Sequence, residues 1–414
     1  MKFQLFTLPT IPATMEERRD LRPIGRNTEH YQRMLDELRE LAVMADEAGF
    51  DVFSTTEHHF HSEGFEASVQ PMMLYADLAA RTKNISFAPT ALVLPGNDPI
   101  RVAEQVAVLD QLTKGRVYAG FARGYQDRWM NILGQQVPVQ GSPMNGDEVD
   151  QRNRAVHEEY LEIVYKAWKD DVLKHKGEFY SVPFPYEEGI TRWPLTEWTR
   201  EYGAPGEIDD DGVIRGVSVI PAPYNKRDIR SFQAFSTSES TIRQCARDGN
   251  MPLILIARPD VFTKLCETYR DVAAEYGRDL KVGESLGAMR SVTFGNTESE
   301  AVDMLEKTNY WGFQKYFAGF GFWEAFRTPE DSKRLGKGVR LPKSEWTMER
   351  FRSSKYALAG TVDQVKRDIE AVSTVHGAGE LEWFSWFFDQ GLLSFDDARR
   401  QLEIFAEHII PEFK

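Results

Sequence analysis

A short β-rich run followed by an amphipathic helix recurs along this chain, and no other feature limits its possible folds as strongly. Strand-like runs fall at residues 2–8, 50–56, 85–94, 117–122, 230–235, 253–257, 286–294 and 380–387. Between the first two, Tyr31, Met34, Leu35, Leu38, Leu41, Ala42 and Ala45 draw one helical stripe, with Thr28 read as its cap and Gly49 as its end. Asp98 and Pro99 open another helix and Gly115 closes it. Further helices are expected over 67–82, 147–169, 240–248, 259–276 and 394–408, and behind the Thr297…Glu300 and Thr361…Gln364 pairs. The strand runs alternate little between apolar and polar residues, as parallel strands covered on both faces do. Eight such units predict one α/β domain over residues 1–414, a (β/α)8 TIM barrel. A doubly wound open sheet is the alternative, but no Gly-x-Gly-x-x-Gly follows any strand. Two stretches break the rhythm, about 171–225 after the fourth strand and 312–356 after the seventh. Both are too long for ordinary connections and are read as insertions, either lids or interface segments.

Composition excludes several classes of partner. The formal net charge of -14 leaves no basic face for a nucleic-acid backbone. No run of about 18 apolar residues could span a bilayer, and residues 1–9 do not read as a signal peptide, so no membrane partner is expected. Cys245 and Cys266 are the only cysteines and both fall in helical patterns. A disulfide framework is not expected, and a cytoplasmic location is.

A barrel presents its chemistry at the C-terminal ends of its strands. The second strand delivers Glu57, His58, His59 and His61 there, three of the chain's eight histidines within four residues. The third delivers Thr90 and Ala91, the fourth Arg123 and Tyr125, the fifth the run from Ser236 to Thr241, the sixth Arg258, and the eighth Asp389 and Gln390. The histidines admit three readings: a metal site, a proton-transfer group, or a polar loop. The spacing of His59 and His61 suits two metal ligands on one strand face. The fifth, sixth and seventh strand ends add no His, Cys or Asp, so no metal is expected. A phosphate site is better supported. Ser236, Thr237, Ser238, Ser240 and Thr241 bring hydroxyls to a helix start, whose free N–H groups and dipole favour an anion. The plain alternative is an N-cap with spare serines. Arg123 adds a guanidinium suited to phosphate. A phosphate handle without a dinucleotide fingerprint suggests a mononucleotide cofactor.

The runs Glu57-His58-His59-Phe60, Thr90-Ala91-Leu92-Val93-Leu94-Pro95 and Pro99-Ile100-Arg101-Val102-Ala103-Glu104 resemble the bacterial luciferase-like flavin monooxygenases. Leu109-Asp110-Gln111-Leu112-Thr113-Lys114-Gly115-Arg116 and Phe121-Ala122-Arg123-Gly124 continue the match in order. The likeness is strong over about 1–134, moderate over 235–276 and faint again at Ala359-Gly360-Thr361. The resemblance implies a (β/α)8 barrel binding reduced FMN, with the phosphate near Arg123, Ser238 and Thr241. It makes His58 the catalytic acid–base residue and sets a non-prolyl cis peptide at Thr90–Ala91 against the flavin ring. It implies a two-component monooxygenase: FMNH2 comes from a separate NAD(P)H:flavin reductase, reacts with O2 to a C4a-peroxyflavin, and oxygenates a small, apolar organic substrate. His59, His61, Tyr125, Phe320 and Trp323 are the substrate-pocket candidates, and a homodimer or higher homo-oligomer is expected. Two departures stand out. Ala122 occupies the place of a reactive cysteine in luciferase's light-emitting subunit, and Thr237 that of a glutamate beside the phosphate. Light emission from a long-chain aldehyde is therefore not expected. Retention of His58 and Arg123 favours an active chain over the non-catalytic companion subunit. A deazaflavin- or flavin-dependent hydride-transfer oxidoreductase on the same fold, or a non-catalytic flavin-binding subunit, is the alternative.

Overall fold

The structure is a computed structural model that describes residues 1–142, 147–336, 339–389 and 391–414. Gln390, expected at the end of the eighth strand, lies outside the described residues. The strands are β1 Lys2–Thr7, β2 Val52–Thr55, β3 Ser86–Pro89, β4 Leu92–Val93, β5 Ala119–Ala122, β6 His175–Lys176, β7 Ser181–Val182, β8 Ser231–Ser236, β9 Met251–Ile254, β10 Gly287–Phe294, β11 Ala357–Gly360 and β12 Trp383–Phe388. The chain divides into two compact units, one of Met1–Ala91 with Arg230–Lys414 and one of Leu92–Ile229. Among the described residues, no helix is long and apolar enough to cross a membrane.

In the first unit the strands are parallel, in the order β3-β2-β1-β12-β10-β9-β8. Lys2 to Thr7 lie in register with Trp383 to Phe388. One face of this sheet is sealed by the helix Phe395–His408. Phe3, Phe294 and Trp386 all pack on Phe405, with ring centroids 5.4, 6.3 and 4.5 Å away. Each such aromatic buries a large apolar area, which explains why these strands carry apolar residues facing outward as well as inward. The helix Thr28–Ala48 has Asn27 as its cap, one residue ahead of the expected Thr28, because the Asn27 side chain accepts from the His30 N–H. Gly49 closes the helix at φ 88, a left-handed position that glycine adopts without strain.

Three expectations change. The helix expected over 67–82 spans only Pro71–Ala79, because the Ala67 N–H and the Ser68 carbonyl are committed to Pro9 and His58. The third expected strand is two pieces, β3 and β4, with the Thr90–Ala91 peptide between them. β11 was not expected at all. It pairs with residues 291–294 of β10, while β12 takes residues 287–290. Ala-Leu-Ala-Gly has weak intrinsic strand preference, so the neighbouring strand makes it one.

In the second unit β4 and β5 pair in parallel, Leu92 opposite Phe121. The helix Pro99–Thr113 is capped by Asp98 and presents the fully buried Asp110. Arg227 Nε donates to both Asp110 oxygens at 3.1 Å, and the Tyr224 N–H donates to Oδ2 at 2.9 Å. The buried carboxylate is thus fully paired and anchors the end of the irregular stretch 171–225. That stretch also holds the antiparallel pair β6–β7 and the helix Thr196–Tyr202.

Candidate active site

Residues 56–70, after β2, form no helix or strand but are firmly pinned. The His58 N–H donates to the Ser68 carbonyl at 3.2 Å, Ala67 to Pro9 at 2.6 Å, Ile11 to Gly64 at 2.7 Å and Gly25 to Ser62 at 3.0 Å. Arg18 donates to the Glu63 carbonyl at 3.0 Å and lies 4.3 Å over the Phe65 ring. Gly64 sits at φ 79, where a Cβ would come 2.9 Å from the Ile11 side chain. These contacts fix the backbone that carries the histidines.

The side chains then assemble around one carboxylate. His58 Nδ1 lies 2.9 Å from Glu66 Oε2, and the Tyr316 hydroxyl donates to the same oxygen at 2.6 Å. Tyr316 also lies 2.7 Å from His61 Nδ1. The His58 and His61 rings stack at 5.7 Å and 17°. His58, His61 and Glu66 are all buried. Burial pushes the Glu66 carboxyl up, but the charge and hydrogen bond of His58, then Tyr316 and His61, bring it below the ordinary carboxylate value. Glu66 is therefore an anion at neutral pH. His59 Nε2 pairs with Glu57 Oε1 at 3.0 Å. Among the described residues, no group of three or more His, Cys, Asp or Glu is placed to hold a metal ion.

Thr90 and Ala91 flank a cis peptide bond, and the Ser54 hydroxyl bonds the Ala88 carbonyl at 2.6 Å and the Thr90 hydroxyl. Ser238 is the N-cap of the ten-residue helix Glu239–Asp248. Its oxygen accepts from the Thr241 N–H at 3.2 Å and lies 2.9 Å from the hydroxyls of both Ser240 and Thr241. The N-cap reading is realised, and the same three hydroxyls at a helix start form a donor set of the kind phosphate takes. Arg123, in the second unit, follows β5 and is paired with Asp150 at 2.5 Å. Asp150 also accepts from the Ser142 hydroxyl at 3.0 Å. Beside them His157 is pushed down to about 3 by burial, then by the charges of Arg123 and Arg154, and is neutral. The Tyr125 hydroxyl accepts from Gln126 at 3.1 Å.

Phe65, Glu66, Trp311, Tyr316, Phe387 and Asp389 wall a small cavity of the first unit, about 40 Å³ in volume. Burial pushes the Asp389 carboxyl up to about 7, against the backbone N–H bonds from Leu393 and Leu392. Phe320 is half-buried with its ring 5.9 Å from that of Tyr316. Trp323 is only 1% exposed, stacks on Trp346 at 6.0 Å and donates to the Phe313 carbonyl. It sits inside an aromatic core instead of on this cavity's wall. Sequence reasoning did not single out Glu66. Its spacing from His58 follows no period, and its left-handed φ of 48 is visible only in the fold. Glutamates scattered among the histidines were the one signal available.

Parallel strands alternate with helices, and a buried histidine–carboxylate network follows one of those strands, the end at which a (β/α) barrel carries its chemistry. Residues 1–379 match the luciferase-like monooxygenases, and the chain belongs to that family. It is 24% identical to the alkanal monooxygenase alpha chain of Photobacterium leiognathi over 393 residues, 93% of this chain and 95% of that one. It is 26% identical to 3,6-diketocamphane 1,6-monooxygenase of Pseudomonas putida over 240 residues, 57% of each chain. The solved structure of the oxygenating constituent of 3,6-diketocamphane monooxygenase from Pseudomonas putida superimposes with a TM-score of 0.71 at 19% identity, over 100% of this chain and 99% of that one. That likeness shows the fold, the TIM barrel expected from the strand–helix rhythm.

Proposed function

We propose that the chain is the oxygenating component of a two-component FMN-dependent monooxygenase that uses O2 to oxygenate a small, apolar organic substrate. The observation that carries this reading is the buried His58–Glu66 pair after β2 in a chain of this family. The diketocamphane relative is described in complex with FMN, which supports the choice of cofactor. Ser238 and Thr241 at their helix start would hold the phosphate, and Thr90 and Ala91 would border the ring. Reduced FMN supplies the redox step and the activation of O2. The chain's own groups orient, exclude water and manage a proton. His58 holds and moves that proton at Nε2, since Nδ1 is occupied by Glu66. We assign His61 and Phe320 to the substrate side, and His59 with Glu57 to support of the loop. No dinucleotide fingerprint is present in the sequence, so a separate NAD(P)H:flavin reductase supplies the reduced cofactor. A homodimer or higher homo-oligomer in the cytoplasm completes the reading.

The test supplies chemically reduced FMN, without reductase or NAD(P)H, to the protein with 18O2 and a panel of ketones, aldehydes and amines. One labelled oxygen atom per product is expected, and His58→Ala should lower product formation about 100-fold with FMN binding intact. Product formed equally well without O2 would replace the reading with hydride transfer. FMN binding with no product from any substrate would make the chain a non-catalytic flavin-binding subunit.

A further inference from the structure

The three groups around Glu66 have a direction. A carboxylate can only accept hydrogen bonds, so the proton between Glu66 and His58 belongs to His58 Nδ1, whether the ring carries one proton or two. The Thr56 hydroxyl, 3.3 Å from the same nitrogen, can donate or accept and so selects neither tautomer. The Tyr316 phenol has a single proton and stands 2.6 Å from Glu66 Oε2, so that proton points at the carboxylate. Its oxygen is then the acceptor for His61 Nδ1 at 2.7 Å. The donors run from His61 through Tyr316 to Glu66, and from His58 to Glu66, and each bond polarises the next.

Resting on the role proposed for His58, we propose that Glu66 and Tyr316 are positioning residues: Glu66 fixes His58 as the Nδ1-protonated tautomer with Nε2 turned to the reaction, and Tyr316 holds the Glu66 carboxylate for that task. Two features of the fold show a built arrangement. Glu66 is held at φ 48, a left-handed conformation that a side chain this size seldom adopts, and the Ala67 N–H bond to Pro9 locks it there. Tyr316 is 250 residues distant in sequence and arrives from the irregular stretch 312–356. The stretch thus contributes to the histidine site directly. A histidine in the wrong tautomer presents a proton where a lone pair is needed, so a lost orienting carboxylate lowers turnover more than binding.

Long-range 1H–15N spectra of 15N-histidine-labelled apo protein read the tautomer without any activity. The wild type should show His58 protonated at Nδ1. Glu66→Ala should lose that preference, and kcat should fall about 10–100-fold with KM for substrate within about 2-fold. Glu66→Gln keeps an acceptor oxygen and should recover the tautomer and part of kcat. It also serves as the test should the alanine variant fail to fold. Tyr316→Phe should keep the tautomer but lower kcat by about 3–10-fold. An Nε2-protonated His58 in the wild type, or unchanged tautomer and kcat in Glu66→Ala, overturns the proposal. Full activity in His58→Ala would instead overturn the reading of His58 itself, whatever the tautomer.

Discussion

The stretches 171–225 and 312–356 look alike in the sequence, aromatic and without period, yet they treat their aromatic residues in opposite ways. In 312–356 the rings turn inward. Phe313, Trp323, Phe326, Phe351 and Tyr356 are all buried, with Phe313 5.1 Å from Phe351 and Trp323 5.4 Å from Phe326. An ionic clasp closes this small core. Asp331 accepts from Arg350 at 2.5 Å and Arg334 at 2.9 Å, and Arg350 foremost holds its carboxyl well below the ordinary range. In 171–225 the rings turn outward, with Phe184 80% and Trp198 64% exposed. That stretch is held by its backbone. Glu159 accepts the N–H groups of Glu178, Phe179 and Tyr180, and Leu173 pairs with Val217. Aromatic content alone therefore does not predict packing; convergence of the rings on one another does.

The sharpest way to break this comparison is to remove a ring from each stretch. Trp323→Ala should destabilise the protein by about 3–5 kcal/mol in urea unfolding, because a fully buried indole leaves a cavity that its neighbours cannot fill. A loss below about 1 kcal/mol would mean that the 312–356 core adds no more than an exposed loop does.

A smaller effect comes from the cavity wall beside that stretch. Asp389 has its carboxyl pushed up to about 7 by burial, against about 4 in an unfolded chain. Between those values the folded protein binds a proton that the unfolded chain has released. The contribution is therefore fully present below pH 4 and is lost as pH rises through 7. Asp389→Asn, neutral throughout, should remove this slope. Relative to the variant, the wild type should lose on the order of 2 kcal/mol between pH 5 and pH 8. Parallel stability curves for the two proteins would show that Asp389 is ionised in the fold.

Which parts were legible follows from the range of the interactions involved. The eight main strands and helix signals such as Asp98-Pro99 and Gly49 are local, and the sequence shows them directly. β11 depends on β10, and the shortened helix at Pro71 depends on bonds to Pro9 and His58, so neither has a local signature. The same division runs through the site. His58 is legible because a histidine directly after a strand is conspicuous. Glu66 and Tyr316 are not, since their meeting is made by two unrelated loops. The ion pair of Arg123 with Asp150 likewise joins a strand end to a helix 27 residues on.

The smallest expected effect is the most discriminating for the other stretch. Trp198 lies on the helix Thr196–Tyr202, 4.5 Å from the ring of Tyr202, with most of its surface in solvent. A ring that buries so little area gains little by folding, so Trp198→Ala should change stability by no more than about 0.5 kcal/mol. It should also leave the His58 tautomer and kcat unaltered, whereas Tyr316→Phe lowers kcat. Should Trp198→Ala cost as much as Trp323→Ala, the outward-facing rings must be covered in solution, and the contrast between the two stretches would belong to the single chain and not to the working protein.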